Sequence, residues 1–129
     1  MIVVDASATL SALLTDGAAR RTLAAERLNA PHLVDAEVAS GLRRRVRAGQ
    51  LKPAAGWGAL DTWRRLGMTR YPVLGLLDRV WELRDNLSSY DATYVALAES
   101  LDCALITADE RLVRAPGVRC PITVIARPS

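Results

Sequence analysis

Short apolar segments separated by helical patterns constrain the fold of this chain more than any other feature. These segments lack the clean alternation of apolar and polar residues that marks a strand with one face in water. Such runs are typical of strands covered on both faces of a parallel sheet. The predicted strands are Ile2–Val4, Pro31–Leu33, Met68–Tyr71, Ala104–Ile106 and Ile122–Ile125.

Apolar residues at helical spacing fill the intervals between these strands. Strands that alternate with helices predict an α/β sandwich around a mostly parallel sheet, in which ligands bind at the carboxyl ends of the strands. The predicted helices are Ala8–Leu14, Ala18–Leu28, Ala36–Ala48, Pro53–Leu66, Val73–Leu87, Tyr90–Leu101 and Glu110–Ala115.

The length and charge of the chain limit its class. The 129 residues fit one domain, 1–129, with one hydrophobic core. No apolar run is long enough to cross a membrane, and the N-terminus shows no signal-peptide pattern, so we expect a cytoplasmic protein. The net charge of +3 permits a nucleic-acid partner without establishing one.

Four acidic residues from distant positions are expected to meet at one edge of the sheet. Asp5 and Asp109 come at the carboxyl ends of two predicted strands. Glu37 and Asp91 lie in the first turns of two predicted helices, for which Asp35 and Ser89 are candidate N-caps. Convergence of these carboxylates would place a charged site where parallel sheets bind ligands.

Each acid also has a structural interpretation. Acids in a first turn favour the helix dipole by about 0.3–1 kcal/mol, which would account for Glu37 and Asp91. Asp109 fits a turn or cap, whereas Asp5 is predicted at neither a helix start nor a surface loop. At about 6 Å, each acid pair would repel by roughly 3 kcal/mol, so a cluster requires bound cations or raised pKa values. Oxygen ligands of this kind suit Mg²⁺ or Mn²⁺.

Four segments together resemble the PIN-domain nucleases, specifically the VapC-type toxins of bacterial toxin–antitoxin pairs. They are "VVDAS", the helix that contains Glu37, "YDATYVALAE" and "LITADERL". The resemblance covers essentially the whole chain. It implies a three-layer α/β/α sandwich with a mostly parallel sheet of about five strands.

The resemblance also implies an activity and a set of site residues. The activity is endonucleolytic cleavage of RNA that depends on Mg²⁺, with Mn²⁺ as an alternative. Asp5 and Asp91 would hold metal, and Glu37 or Asp109 would complete a second metal's ligands or orient the attacking water. The catalytic and metal-binding residues would be Asp5, Glu37, Asp91 and Asp109, supported by the hydroxyls of Ser7 and Thr107.

The implied partners are RNA, a small VapB-like antitoxin and a second copy of the chain in a homodimer. We expect apolar side chains of the antitoxin to bind a groove formed by the helices Ala8–Leu14, Ala18–Leu28 and Pro53–Leu66.

Basic residues supply weaker candidates for RNA contacts. Arg44 follows Glu37 by seven residues, so it shares a helix face with Glu37 about 10 Å along the axis. A solvated arginine-rich face is an equally good interpretation. For His32 we favour a structural role over catalysis, and for Trp57, Trp63 and Trp81 the core or an interface. The RNA-binding candidates are Arg43, Arg44, Arg47, Arg84 and Asn86.

Rival functions remain open at this point. A haloacid-dehalogenase-like phosphatase also opens with an aspartate after its first strand, but it needs a second aspartate where Ser7 stands and a lysine near the phosphate. The lone lysine, Lys52, lies in the "QLKPAA" loop. A non-catalytic RNA- or protein-binding module of the same fold is the other alternative, and the complete set of acids weighs against it.

Overall fold

The computed structural model describes residues 1–125 and contains one parallel sheet of five strands. The α/β class and the mostly parallel sheet are confirmed, and all four strand pairings are parallel. The strands are β1 (Ile2–Val4), β2 (Leu28–Pro31), β3 (Thr69–Tyr71), β4 (Ala104–Thr107) and β5 (Ile122–Val124), in the order β3-β2-β1-β4-β5.

Within residues 1–125, six α-helices form two groups around this sheet. The first four pack against one another through α1, whereas α6 packs on β1, β2 and β4 and also contacts α5. This grouping gives the three layers that the family resemblance implied. The helices are α1 (Ala6–Leu14), α2 (Ala18–Ala25), α3 (Leu33–Arg47), α4 (Pro53–Arg65), α5 (Leu77–Glu82) and α6 (Ser89–Ser100).

The strand order places a crevice beside the central strand. The chain extends from β1 through β2 to β3 on one side, and then returns to place β4 on the other side of β1. The crevice between the carboxyl ends of β1 and β4 is therefore the switch point where open α/β sheets bind ligands. Val4 pairs with Ile106 in this register, so Asp5 and Thr107 follow at neighbouring positions.

The core fixes the helices around that crevice. Val3, Val4 and Leu105 are completely buried, and α6 is buried almost all round from Ala92 to Ala98 because it crosses three strands. On the other face, α3 lies so close to α1 that a Cβ atom at Gly41 would overlap Leu10 Cδ1. The missing side chain lets the two helices approach.

The second strand differs from its prediction. We predicted Pro31–Leu33, but β2 is Leu28–Pro31 and Leu33 already begins α3. Asn29 obscured the strand, because a polar residue interrupts the apolar run. Its side chain is buried and paired: Nδ2 donates to Ile2 O (3.0 Å), and Oδ1 accepts from Tyr71 (3.0 Å). For the same reason α2 ends at Ala25 and not at Leu28.

Two predicted helices are shorter or tighter than expected. The segment predicted as Val73–Leu87 is a 3₁₀ helix, Leu74–Leu76, followed by α5, and it then continues in tight turns. The last helix, predicted as Glu110–Ala115, is a 3₁₀ helix at Glu110–Arg114. Among residues 1–125, no helix has the length and apolar character needed to span a membrane.

Candidate functional site

Asp5 stands at the carboxyl end of β1 and is also the N-cap of α1. The prediction that it is not at a helix start is wrong, because α1 begins at Ala6 and not at Ala8. Its Oδ1 accepts hydrogen bonds from Ala8 N (2.9 Å) and from the Ser7 hydroxyl (2.7 Å). Its Oδ2 accepts one from the Thr107 hydroxyl (2.5 Å). The side chain is thus held by donors from α1 and from β4, while only 5% of the residue is exposed.

The two hydroxyls connect the ends of β1 and β4. Ser7 Oγ accepts a hydrogen bond from Ala108 N (2.8 Å), and Thr107 Oγ1 accepts one from Asp109 N (3.0 Å). Each hydroxyl therefore donates to Asp5 while it accepts from the backbone beyond β4. This arrangement fixes the Asp5 carboxylate in the crevice.

Burial raises the pKa of Asp5 above its ordinary value. The hydrogen bonds from Thr107, Ala8 and Ser7 oppose that effect, and the negative charge of Asp91 adds to it. The ionised form of Asp5 is therefore costly in the folded protein without a nearby cation.

Glu37 lies in α3, and the α6 residue Tyr94 holds its side chain. The Tyr94 hydroxyl donates to Glu37 Oε1 at 2.6 Å. Burial raises the pKa of Glu37, the Tyr94 hydrogen bond opposes the increase, and the charges of Asp91 and Asp5 add to it. Nothing in the sequence spacing of Tyr94 indicates this partner.

Asp35 is not the N-cap of α3. The helix begins at Leu33, so Asp35 lies inside its first turn. Its carboxylate accepts two hydrogen bonds from Arg70 (2.7 and 2.9 Å) and one from Trp63 Nε1 (2.8 Å). The hydrogen bond with Arg70 holds the pKa of Asp35 below its usual range. Asp35 thus joins α3 to β3 and α4, away from the crevice.

Asp91 lies in the first turn of α6, as predicted, but Ser88 and not Ser89 is the N-cap. Ser88 Oγ accepts from Asp91 N at 3.1 Å. Burial raises the pKa of Asp91, and the charge of Asp109 raises it further. Asp91 is thus close enough to Asp5, Glu37 and Asp109 for the charges to act on one another.

Asp109 follows β4 and caps the 3₁₀ helix after it. Its Oδ1 accepts from the backbone N of Arg111 (3.0 Å). The Arg111 guanidinium also binds the carboxylate, with 2.7 Å between Nη2 and Oδ2 and 3.0 Å between Nε and Oδ1. Sequence reasoning missed Arg111, although its spacing of two residues from Asp109 was a usable signal.

Two clefts meet at the Asp109–Arg111 pair. One has a volume of about 400 Å³ and the other about 600 Å³, and both residues line both clefts. The smaller cleft is also lined by Ser7, Glu37, Ser40, Arg44 and Arg45, and the larger by Asn86, Ser88, Asp91 and Arg114.

The arginine run of α3 is divided between two surfaces. Arg44 lines the smaller cleft with Glu37, as its spacing predicted, and Arg45 lines it too, which we did not predict. Arg43 and Arg47 instead line a separate groove between α3 and α4 beside Trp57. They therefore lie on another side of the helix from Glu37, and their contact with RNA stays a prediction.

The remaining candidates also separate. Asn86 lines the larger cleft and donates to Pro116 O (3.0 Å). Arg84 instead stacks over the exposed Trp81 ring, 4.7 Å from its centroid. Trp63 is buried in the core, as predicted. His32 is exposed just before α3, and its backbone N donates to Tyr71 O (2.9 Å).

The four acids supply an oxygen-only donor set but do not form a closed metal cage. Within residues 1–125, no group of three or more Asp, Glu, His or Cys side chains is arranged to hold one metal ion. The reason is visible in their present partners, since Asp5 is bonded to hydroxyls, Glu37 to Tyr94 and Asp109 to Arg111. Carboxylates that raise one another's pKa values fit a hard divalent cation such as Mg²⁺ or Mn²⁺.

A second, apolar groove lies among α1, α2 and α4. Its volume is about 590 Å³, and its lining includes Leu13, Leu23, Ala55, Ala59 and Leu66. These helices correspond to the three that we predicted would form the antitoxin groove.

Comparisons with known proteins find a matching family model and relatives of similar sequence. A PIN-domain family model matches residues 2–118. The chain is 64% identical over 127 residues to ribonuclease VapC9 of Mycobacterium tuberculosis, an alignment that covers 98% of this chain and 100% of that protein.

Two solved structures share the fold. One is VapC20 of M. tuberculosis, a sarcin-ricin loop cleaving toxin, with a TM-score of 0.66, 21% identity and coverage of 92% of this chain and 97% of that chain. The other is VapBC2 from Rickettsia felis bound to a DNA fragment from its promoter, with a TM-score of 0.70, 16% identity and coverage of 97% and 99%.

Proposed function

Because the chain belongs to the PIN-domain family and, within it, to the VapC ribonucleases, we propose that its four acids form the site of a Mg²⁺-dependent endoribonuclease. Mn²⁺ is the alternative metal. The observation that carries the proposal is the buried Asp5 carboxylate at the switch point, with Glu37, Asp91 and Asp109 close enough to act on its charge or on one another's. The activity makes the chain the toxin of a toxin–antitoxin pair.

The four acids and the two hydroxyls have different proposed roles in phosphodiester hydrolysis. Asp5 and Asp91 are the proposed metal ligands, and Glu37 or Asp109 completes the ligand set or orients the attacking water. A divalent cation at these oxygens supplies positive charge that stabilises the charge developing on the scissile phosphate. Ser7 and Thr107 hold Asp5 in one orientation, as supporting groups do in metal sites.

Glu37 is suited to accept a proton. Its pKa is raised by burial, which brings its basicity closer to that useful near neutral pH. Tyr94 fixes one of its oxygens and so orients the carboxylate. A water molecule between Glu37 and the scissile phosphate would then lose its proton to Glu37 as it attacks.

The two clefts provide room for an RNA strand on either side of the acids. Arg44 and Arg45 in one cleft and Arg114 in the other can neutralise phosphates that flank the cleaved bond. Such contacts hold the strand without reading its sequence.

Two assays test this function. RNA of mixed sequence should be cut internally in Mg²⁺, not in EDTA, and not by Asp5→Asn. Expression of the chain alone should slow growth, whereas Asp5→Ala should not. If the wild type binds RNA but does not cut it in Mg²⁺ or Mn²⁺, the non-catalytic module is the better description.

The apolar groove among α1, α2 and α4 is the proposed site for a VapB-like antitoxin. Its lining is mainly apolar, and it lies on elements other than those that carry Glu37, Asp91 and Asp109. An amphipathic helix could bury its apolar face there.

We also propose a homodimer that acts on cytoplasmic RNA. Large apolar side chains are exposed on and near α5, including Leu74 (80%) and Trp81 (68%). Burial of such side chains against a second copy would remove them from water. Light scattering of the purified chain, with Trp81→Glu for comparison, tests this assembly.

A further inference from the structure

The Asp109–Arg111 pair occupies the place where metal and substrate would both have to act. We propose that Arg111 is an exchangeable cation, which neutralises Asp109 until a divalent metal takes that carboxylate and which then binds a phosphate of the RNA. This inference rests on the proposed ribonuclease function and adds a substrate-positioning residue to it.

The contacts show how fully Arg111 occupies Asp109. Nη2 donates to Oδ2 (2.7 Å), and Nε donates to both Oδ1 (3.0 Å) and Oδ2 (3.2 Å). The backbone N of Arg111 adds a hydrogen bond to Oδ1 (3.0 Å). Both carboxylate oxygens are thus engaged by the guanidinium fork, so a metal that binds Asp109 competes with Arg111 for the same oxygens.

The two side chains of the Asp109–Arg111 pair differ in their exposure to solvent. The Arg111 side chain is 80% exposed, whereas that of Asp109 is 18% exposed. An ion pair with one solvated partner contributes little, so Arg111 can leave without a large cost. A divalent ion has twice the charge of Arg111, and the charges of Asp91, Asp5 and Glu37 also attract it.

Arg111 also influences a second acid of the site. Its charge lowers the pKa of Asp91, which burial and Asp109 raise. Arg111 therefore offsets part of the repulsion between Asp91 and Asp109 when no metal is bound.

The location of Arg111 gives it a use after release. Asp109 and Arg111 both line the smaller cleft beside Glu37 and Arg44 and the larger cleft beside Asp91. An RNA strand that continues from one cleft into the other passes this residue. A guanidinium freed from Asp109 keeps its charge and its fork, which match a phosphate in two-point geometry.

A structural role for Arg111 predicts a different result. If the guanidinium only reinforces the short 3₁₀ helix, its loss would lower stability and leave the affinity for metal unchanged. Metal affinity therefore separates the two roles independently of activity.

The experiment compares Arg111→Met and Arg111→Lys with Arg114→Met, which removes an equal charge from the same cleft. Calorimetric titration with Mn²⁺ alone measures the metal affinity of the apo proteins, and initial rates on a single-stranded RNA oligonucleotide at saturating Mn²⁺ measure kcat/KM. We expect Arg111→Met to bind Mn²⁺ about two- to fivefold more tightly than Arg114→Met. We expect the kcat/KM of Arg111→Met to fall about tenfold or more below that of wild type, since a charged hydrogen bond to phosphate is lost.

Arg111→Lys keeps the charge and loses the fork. We expect it to bind Mn²⁺ more tightly than wild type and to retain more activity than Arg111→Met. The inference is overturned if wild type binds Mn²⁺ and cuts RNA but Arg111→Met binds Mn²⁺ no more tightly than Arg114→Met. If wild type neither binds Mn²⁺ nor cuts RNA, the proposed function itself fails, and the role of Arg111 fails with it.

Discussion

The hydroxyl of Tyr94 donates a 2.6 Å hydrogen bond to Glu37 Oε1, which ties α6 to α3 at the edge of the sheet. The Tyr94 ring is buried in the core and the carboxylate belongs to the candidate site. A core residue thus sets the orientation and the basicity of a site residue.

Tyr94→Phe should move the pH dependence of RNA cleavage. The hydrogen bond lowers the pKa of Glu37, which burial raises, so its removal should raise that pKa further. If Glu37 must be ionised, the acid limb of kcat/KM should shift to higher pH, with the largest loss of activity on the acid side. Tyr90→Phe, on the exposed start of α6, is the control. Identical acid limbs in wild type and Tyr94→Phe would contradict a role for ionised Glu37.

Without metal, stability should fall as pH rises. The folded-state pKa values of Asp5, Glu37 and Asp91 lie above their ordinary values, so the folded chain binds more protons than the unfolded chain in that range. The lowered pKa values of Asp35 and Glu99 have the opposite effect, but only until both acids are ionised in the unfolded chain. The free energy of unfolding in EDTA should therefore decrease from about pH 5 upward until the raised pKa values are passed. Asp91→Asn should weaken this decrease, and its free energy of unfolding at pH 7 in EDTA should exceed that of wild type by about 1–2 kcal/mol. Denaturant titrations at several pH values measure the effect, and a stability that increases with pH would refute it.

Asp5 should respond differently to two substitutions, because it is both a site acid and an N-cap. Asp5→Asn keeps an oxygen for Ala8 N and removes the charge, so its melting temperature in EDTA should equal or exceed that of wild type. Asp5→Ala loses the cap and leaves the buried Thr107 hydroxyl without its acceptor, at a cost of about 1–2 kcal/mol. Both should lose the stabilisation that Mg²⁺ gives wild type. A full Mg²⁺ response in Asp5→Asn would remove Asp5 from the ligand set.

Arg44 and Arg47 should differ in RNA binding although they share a helix. Arg44 lines the cleft with Glu37, whereas Arg47 lines the groove beside Trp57. Arg44→Met should weaken RNA binding for all sequences and reduce the salt slope of log Kd by about one unit per lost phosphate contact. Arg47→Met is the matched control and should leave the slope unchanged. Equal slopes in both variants and wild type would indicate that the arginines of α3 form a solvated face and do not contact phosphates.

The antitoxin groove can be blocked without change to the acids. Ala55 lines the groove and is exposed, and the neighbouring Ala54 is exposed but does not line it. Ala55→Arg should weaken binding of the cognate antitoxin at least tenfold and leave RNA cleavage intact, so the antitoxin should no longer rescue growth. Ala54→Arg should behave as wild type. Unaltered rescue of Ala55→Arg by the antitoxin would place the interface elsewhere.

The sequence predicted most of the sheet, because β1 and β4 are buried apolar runs and the edge strands β3 and β5 are short segments that follow helices and turns. The exception was β2, where the paired Asn29 interrupts the apolar pattern. The predicted boundaries of irregular elements were also wrong. The region after Val73 forms a 3₁₀ helix and tight turns, but its apolar residues have a spacing that also fits a longer helix.

The positions of most acids were predictable, but the partner of Glu37 was not. Strand ends and a first turn place Asp5, Asp109 and Asp91 from local signals alone. Glu37 was also predicted in a first turn, but it lies in the second turn of α3 because that helix begins at Leu33. The hydroxyls of Ser7 and Thr107 were implied by the family resemblance. The contact of Tyr94 with Glu37 depends on tertiary packing, which spacing does not encode. The division of the arginine run likewise required knowledge of which side of α3 faces α4.

The order of the elements along the chain also sets an order in time during synthesis. The apolar groove is made entirely by residues from Thr9 to Leu66, whereas Asp91, β4 and Asp109 come later in the chain. A ribosome needs on the order of seconds to add that remainder. The segments proposed to bind the inhibitor therefore emerge from the ribosome before two of the four acids proposed to cut RNA, so their synthesis is complete before a chain with the whole candidate site exists.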